Sequence, residues 1–144
     1  MKCKVKKFLI KVGMVVLLVV MVGGTIVSIK EKKESESAIH VVQSGVSKIN
    51  EDSNYKEAFE KYFTNLSWFT YKNSQGVRIV GFTAQRYMHN RNTMGDYEIS
   101  YIVDENTNTF KFYKGTCNGI QLNQIDMLKI TISAFSQVDS VNNY

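Results

Sequence analysis

The chain has 144 residues, 44% hydrophobic and 22% charged, with a formal net charge of +5 and a pI near 9.1. That size fits one small domain with a single core, and the ordinary composition argues against a disordered or fibrous chain. The charge does not point to nucleic acid: of 18 Lys and Arg residues, five lie at residues 2–11, and those from Lys30 onward are balanced by the 13 Asp and Glu.

Residues Val12 to Ile29 read VGMVVLLVVMVGGTIVSI, 18 residues without a charge. As a helix this run would be about 27 Å long, close to the roughly 30 Å of a hydrocarbon core. Lys2, Lys4, Lys6, Lys7 and Lys11 precede it with no acid, whereas Lys30, Lys32 and Lys33 are interleaved with Glu31, Glu34 and Glu36. The expectation is a single-pass signal-anchor over residues 12–29. The basic segment 1–11 would be cytoplasmic, residues 8–29 would contact membrane lipid, and the remainder would lie outside. The competing reading is a cleaved signal peptide and a secreted domain, with an apolar h-region from Val12 to Val22 followed by Gly23 and Gly24. Renewed apolar character at Ile26, Val27 and Ile29 favours retention. Cys3 and Cys117 would then lie on opposite sides of the membrane, which excludes a disulfide framework, and Cys117 reads as a half-buried small residue.

Residues 30–38 (KEKKESESA) read as a solvated stalk, and Ile39, Val42, Val46 and Ile49 recur at helical spacing, giving a stalk with a short amphipathic helix over 30–52. Asn54 and Glu57 form a capping-box pattern opening a helix that carries Tyr55, Ala58, Phe59, Tyr62 and Phe63 on one face and stops at Asn65. After Trp68 the period changes to two. Strands are expected over Trp68–Lys72, Val77–Tyr87, Tyr97–Val103 and Thr109–Lys114, with Val80, Phe82 and Ala84 sharing one face of the second. Asn118-Gly119 is a turn, and Asn123 caps a last helix whose buried stripe is Ile125, Leu128, Ile132 and Phe135. The expected fold class is therefore α+β: an N-terminal transmembrane helix, then a helix, a four-stranded antiparallel sheet and a C-terminal helix. Residues 53–137 would form the domain, with Phe59 and Trp68 in its core, and 138–144 a polar tail.

Tyr55-Lys56-Glu57-Ala58-Phe59, Phe63-Thr64-Asn65-Leu66-Ser67-Trp68, Val80-Gly81-Phe82-Thr83 and Ile102-Val103-Asp104 together give the chain a resemblance over about Ser53 to Phe135. It resembles small uncharacterised extracytoplasmic domains of Gram-positive bacteria that sit behind one membrane helix or a zinc ribbon. The chain departs from them in having Leu66 where Pro is expected and in lacking a zinc ribbon. The shared markers are determinants of fold, and the resemblance implies no particular activity.

Asp104, Asn106 and Asn108 match the first ligand positions of a calcium loop, but Thr109 stands where its Gly is required and Gly115 where its Glu is, so the segment reads as a polar hairpin turn. His40 and His89 lack Cys or carboxylates at ligand spacing, and no metal or cofactor is expected. No catalytic residue is nominated either, because no nucleophile-base pair, carboxylate pair or cofactor loop has a local signature. Arg86, His89 and Arg91, at the end of the long strand, are the candidate ligand or partner residues, suited to an anion such as a phosphate or a cell-envelope polymer. The functional expectation is a membrane-anchored extracytoplasmic binding or accessory domain with a protein or envelope-polymer partner. An envelope enzyme with a distributed site is the second hypothesis.

Overall fold

The computed structural model describes residues 29–88 and 91–141, and the chain divides into two compact units between Glu34 and Ser35. The fold belongs to the unit from Ser35 onward. Its first element is the part of the helical stretch α1 (residues 29–43) that follows Glu34, in which Ala38, Val41 and Val42 are buried. The helix stops at Ser44, whose amide and hydroxyl both donate to the His40 carbonyl at 2.8 and 2.7 Å. Gly45 follows because only a residue without Cβ fits there: a Cβ would lie 2.5 Å from Phe110 Cε1. Val46 and Ile49, expected to continue the helical stripe, are exposed instead.

A two-stranded antiparallel ribbon comes next, β1 (Val46–Ser47) with β2 (Asn50–Asn54). Helix α2 (Tyr55–Tyr62) opens on Asn54, whose Oδ1 accepts from the Glu57 amide at 2.9 Å. The Glu57 carboxylate takes the Ser53 hydroxyl at 3.2 Å, so half of the expected capping box forms and Ser53 supplies the other contact. The helix ends at Tyr62, earlier than expected: Phe63 is already extended, and its amide donates to the Phe59 carbonyl at 2.9 Å.

Five antiparallel strands then run as a meander, in the spatial order β3-β4-β5-β6-β7. They are β3 (Thr64–Lys72), β4 (Arg78–Met88), β5 (Thr93–Asp104), β6 (Thr109–Cys117) and β7 (Ile120–Gln121), and α3 (Gln124–Val141) closes the chain. The Asn118-Gly119 turn has both residues at positive φ, 50° and 76°, the backbone a two-residue hairpin needs. It therefore leads into a fifth strand, paired Thr116↔Gln121 and Cys117↔Ile120. At the β5–β6 hairpin the Asp104 carboxylate accepts from the Asn106 and Thr107 amides at 2.9 and 3.4 Å, and these bonds hold its pKa below the usual carboxylate value. This is an Asx turn.

The expected order of helix, four strands and helix is thus corrected. Among the described residues there are three helices, a two-stranded ribbon and a five-stranded sheet. No helix among them is long and apolar enough to cross a membrane, and of the run Val12–Ile29 all but Ile29 lies outside the described residues.

The core lies where the helices meet one sheet face. Alternation and register place Val80, Phe82 and Ala84 of β4 beside Tyr101, Ile99 and Tyr97 of β5 on that face. Phe59 and Phe135 come down on them from α2 and α3, both fully buried. Tyr55 is a hub, meeting Phe59, Phe110 and Phe135 edge-on at centroid distances of 5.4, 5.0 and 5.1 Å. Trp68 is only partly buried, edge-on to Phe82 at 5.2 Å.

The last helix is capped as expected, reciprocally: the Asp126 amide donates to Asn123 Oδ1 at 2.9 Å and the Asn123 amide to Asp126 Oδ2 at 3.1 Å. Its buried face differs. Met127, Ala134 and Phe135 point inward, whereas Ile125, Leu128 and Ile132 stay 64%, 56% and 42% exposed.

The Tyr101 hydroxyl is fully enclosed and has no hydrogen-bond partner among the described residues, and burial pushes its pKa well above 10. An unsatisfied buried hydroxyl carries a desolvation cost of about 1–3 kcal/mol. Tyr101→Phe should therefore leave the chemical-denaturation midpoint unchanged or raise it. A midpoint lowered by more than about 1 kcal/mol in stability would contradict this accounting.

Candidate functional site

Arg86 continues the inward row Val80, Phe82, Ala84, one step past the end of the core. Its guanidinium carbon lies 3.3 Å from the centre of the Tyr62 ring, the last residue of α2. The contact is a cation–π stack that covers one face of the guanidinium. Beyond it opens a cleft of about 650 Å³, bounded by Tyr62, the ends of β4 and β6, and the first turns of α3. Arg91 and Lys129 add two further cations to its walls.

None of these three cations has a hydrogen bond or ion pair to a side chain among the described residues. The one carboxylate lining the cleft, Asp126, is occupied in capping α3. Partial burial lowers the pKa of Arg86, with neighbouring Tyr97 acting in the opposite sense. The site is thus cationic, with free N–H donors and a capped acid.

Tyr97 and Cys117 face each other across β5 and β6. Burial, followed by a hydrogen bond with the Cys117 thiol, pushes the Tyr97 phenol up to about 12, while Arg86 and Arg91 pull it down. Near neutral pH the phenol is therefore protonated. It can donate a hydrogen bond but cannot act as a base for the thiol. Apolar surface completes the cleft through Met88, Ile120, Leu122 and Ile130. At the rim, the Tyr87 hydroxyl donates to Asn92 Oδ1.

Of the residues singled out from sequence, the structure brings Arg86 and Arg91 to this one cleft, and His89 lies outside the described residues. Sequence reasoning missed Tyr62, Tyr97, Cys117 and Lys129 as partners in the site. A signal for Arg86 was present: a cation two residues beyond an apolar alternation marks the point where a core face opens to solvent. Nothing local in the sequence announces Lys129, which reaches the cleft through the packing of α3.

Among the described residues there is no group of three or more His, Cys, Asp or Glu side chains placed to hold a metal ion. Comparison with family models, with curated protein sequences and with solved structures returned no match.

Proposed function

We propose that the unit from Ser35 onward is a non-catalytic binding domain that takes an anionic ligand in the Arg86–Arg91–Lys129 cleft. The residues 12–29 would hold it at the outer face of a cell membrane, a placement supported by their sequence and flanking charges. The carrying observation is the charge imbalance in the cleft. Among the described residues, three cations converge there without a side-chain acceptor, and the one carboxylate lining the cleft is engaged in a helix cap. Guanidinium groups present several fixed donors that match phosphate or carboxylate oxygens, and Arg86 is oriented in advance by its stack on Tyr62. The apolar walls suit a ligand that is not a bare ion. A protein or envelope-polymer partner bearing such an anion fits this reading.

A catalytic role for the same cleft has less support. Its thiol, Cys117, stands across the strands from a phenol held protonated, which cannot serve as its general base. The test is calorimetric titration of the full chain in detergent with sn-glycerol 3-phosphate and with inorganic phosphate. Saturable binding of either, weakened by salt, is expected. Heats that do not saturate would refute the reading.

A further inference from the structure

We infer that the cleft and the exposed face of α3 together form a docking surface for the anionic phospholipid headgroups of a bilayer. This rests on the anionic-ligand reading of the cleft and names its occupant.

Lys129 lines the cleft from α3, and Ile125 and Ile132 stand four residues before it and three after, on the same side of the helix. The cleft thus has an exposed apolar border. Leu128 widens it, and Ile120, 65% exposed on the two-residue strand β7, stands at the mouth. Large aliphatic side chains left in water beside clustered cations are the composition of a peripheral membrane surface. The aliphatics enter the headgroup–acyl boundary while the cations meet phosphates.

The unit is near neutral overall, but Asp96 and Glu98 line a separate depression and sit opposite Gln85 and Thr83, on the sheet face turned away from the helices. The cleft thus joins cations to exposed aliphatics, while the face behind the sheet mixes its two acids with Lys111 and Lys114, paired beside Ile102 and Ser100. A second copy of the chain would have to set three cations against three cations at this face. An anionic bilayer would not.

The Cys117 thiol, lining the cleft, reports its coverage. The full chain carrying Cys3→Ser, so that one thiol remains, is reconstituted in vesicles of phosphatidylcholine alone or with 30% phosphatidylglycerol (roughly the anionic content of a charged leaflet). Alkylation by a membrane-impermeant maleimide is timed. Each basic residue at an anionic surface is worth roughly fivefold in binding, so the anionic vesicles should slow alkylation at least about fivefold. Either about 0.5 M salt, where the Debye length is only a few ångströms, or Ile125→Glu with Leu128→Glu should restore the rate. Both substituted residues are exposed, so the fold is retained.

Equal rates in the two vesicle types overturn the inference. If sn-glycerol 3-phosphate then still protects Cys117, the anion-binding reading of the cleft stands and only the bilayer as occupant fails. If it does not, both fail. Slowing that is the same in both lipids and grows with protein density would assign the surface to a second copy and also overturn it. Flotation of the chain with anionic vesicles alone would support docking while removing the anchor.

Discussion

Replacing Phe59 by alanine should bring the domain to the edge of unfolding. Phe59 has no exposed surface, and its ring lies 5.4, 5.9 and 5.0 Å from those of Tyr55, Phe63 and Phe82, so truncation opens a cavity at the contact between α2 and the sheet. Losses of this kind cost about 3–5 kcal/mol, against a total stability of about 5–15 kcal/mol for a small domain. At roughly 4–8 °C per kcal/mol, the thermal midpoint should fall by about 12 °C or more. Circular dichroism in one fixed detergent, comparing Phe59→Ala with the parent, checks this. Trp68→Ala should cost less, because Trp68 is only partly buried and its indole N–H is enclosed without a hydrogen-bond partner among the described residues. Equal losses for the two variants would mean that the aromatic cluster is not centred on Phe59.

The second large effect is on binding. Arg86→Ala with Arg91→Ala removes two of the three cations of the cleft, and hydrogen bonds to charged groups are each worth about 1.5–3 kcal/mol. Loss of both should weaken sn-glycerol 3-phosphate binding by about a hundredfold or more. Each side chain is at least partly solvent-exposed, so the thermal midpoint should move little. Arg86→Lys is a sharper probe. It keeps the charge but loses the planar stack on Tyr62, and it should bind more weakly than the parent and more tightly than the alanine variant. Affinity unchanged in the double variant would dissociate these arginines from the ligand.

How far the sequence reached is clearest in the features fixed by local chemistry. Asn54 and Asn123 cap their helices because the side-chain oxygen and the unpaired amides are only a turn apart. The inward alternation of β4 holds because register cannot slip without turning Val80 and Phe82 to water. Elsewhere the deciding interactions are distant. α3 carries two apolar stripes that share Phe135, one with Ile125, Leu128 and Ile132, the other with Met127, Ile130 and Ala134. Periodicity cannot choose between them. The structure chooses the stripe containing Ala134, a small side chain fully enclosed as is Ala58 of α2, the helix on which α3 packs. β2 was illegible for the opposite reason: Asn50 and Ser53 are buried polar residues in a stretch without apolar alternation. Strand β7 has two residues, too short for any period, and only the backbone of the Asn118-Gly119 turn implies it.

The same distinction applies to the site. Arg86 and Arg91 were visible as a local cluster, but the cleft exists because Tyr62 and Lys129 arrive from two helices packed on the same sheet face. A single Arg loop on a strand would be solvated and weak. The stacked orientation of Arg86 on Tyr62 is a tertiary fact, whereas the engagement of the Asp126 carboxylate by the Asn123 amide is a contact within the first turn of α3.

The most direct test of anion binding in the cleft is to observe the guanidinium groups themselves. In a nitrogen–proton correlation spectrum of the full chain, titration with sn-glycerol 3-phosphate should shift the Nε–Hε signals of Arg86 and Arg91, leaving that of Arg78, ion-paired to Glu105 at 3.2 Å, in place. Uniform small shifts of all three arginines, or none at Arg86, would contradict the account.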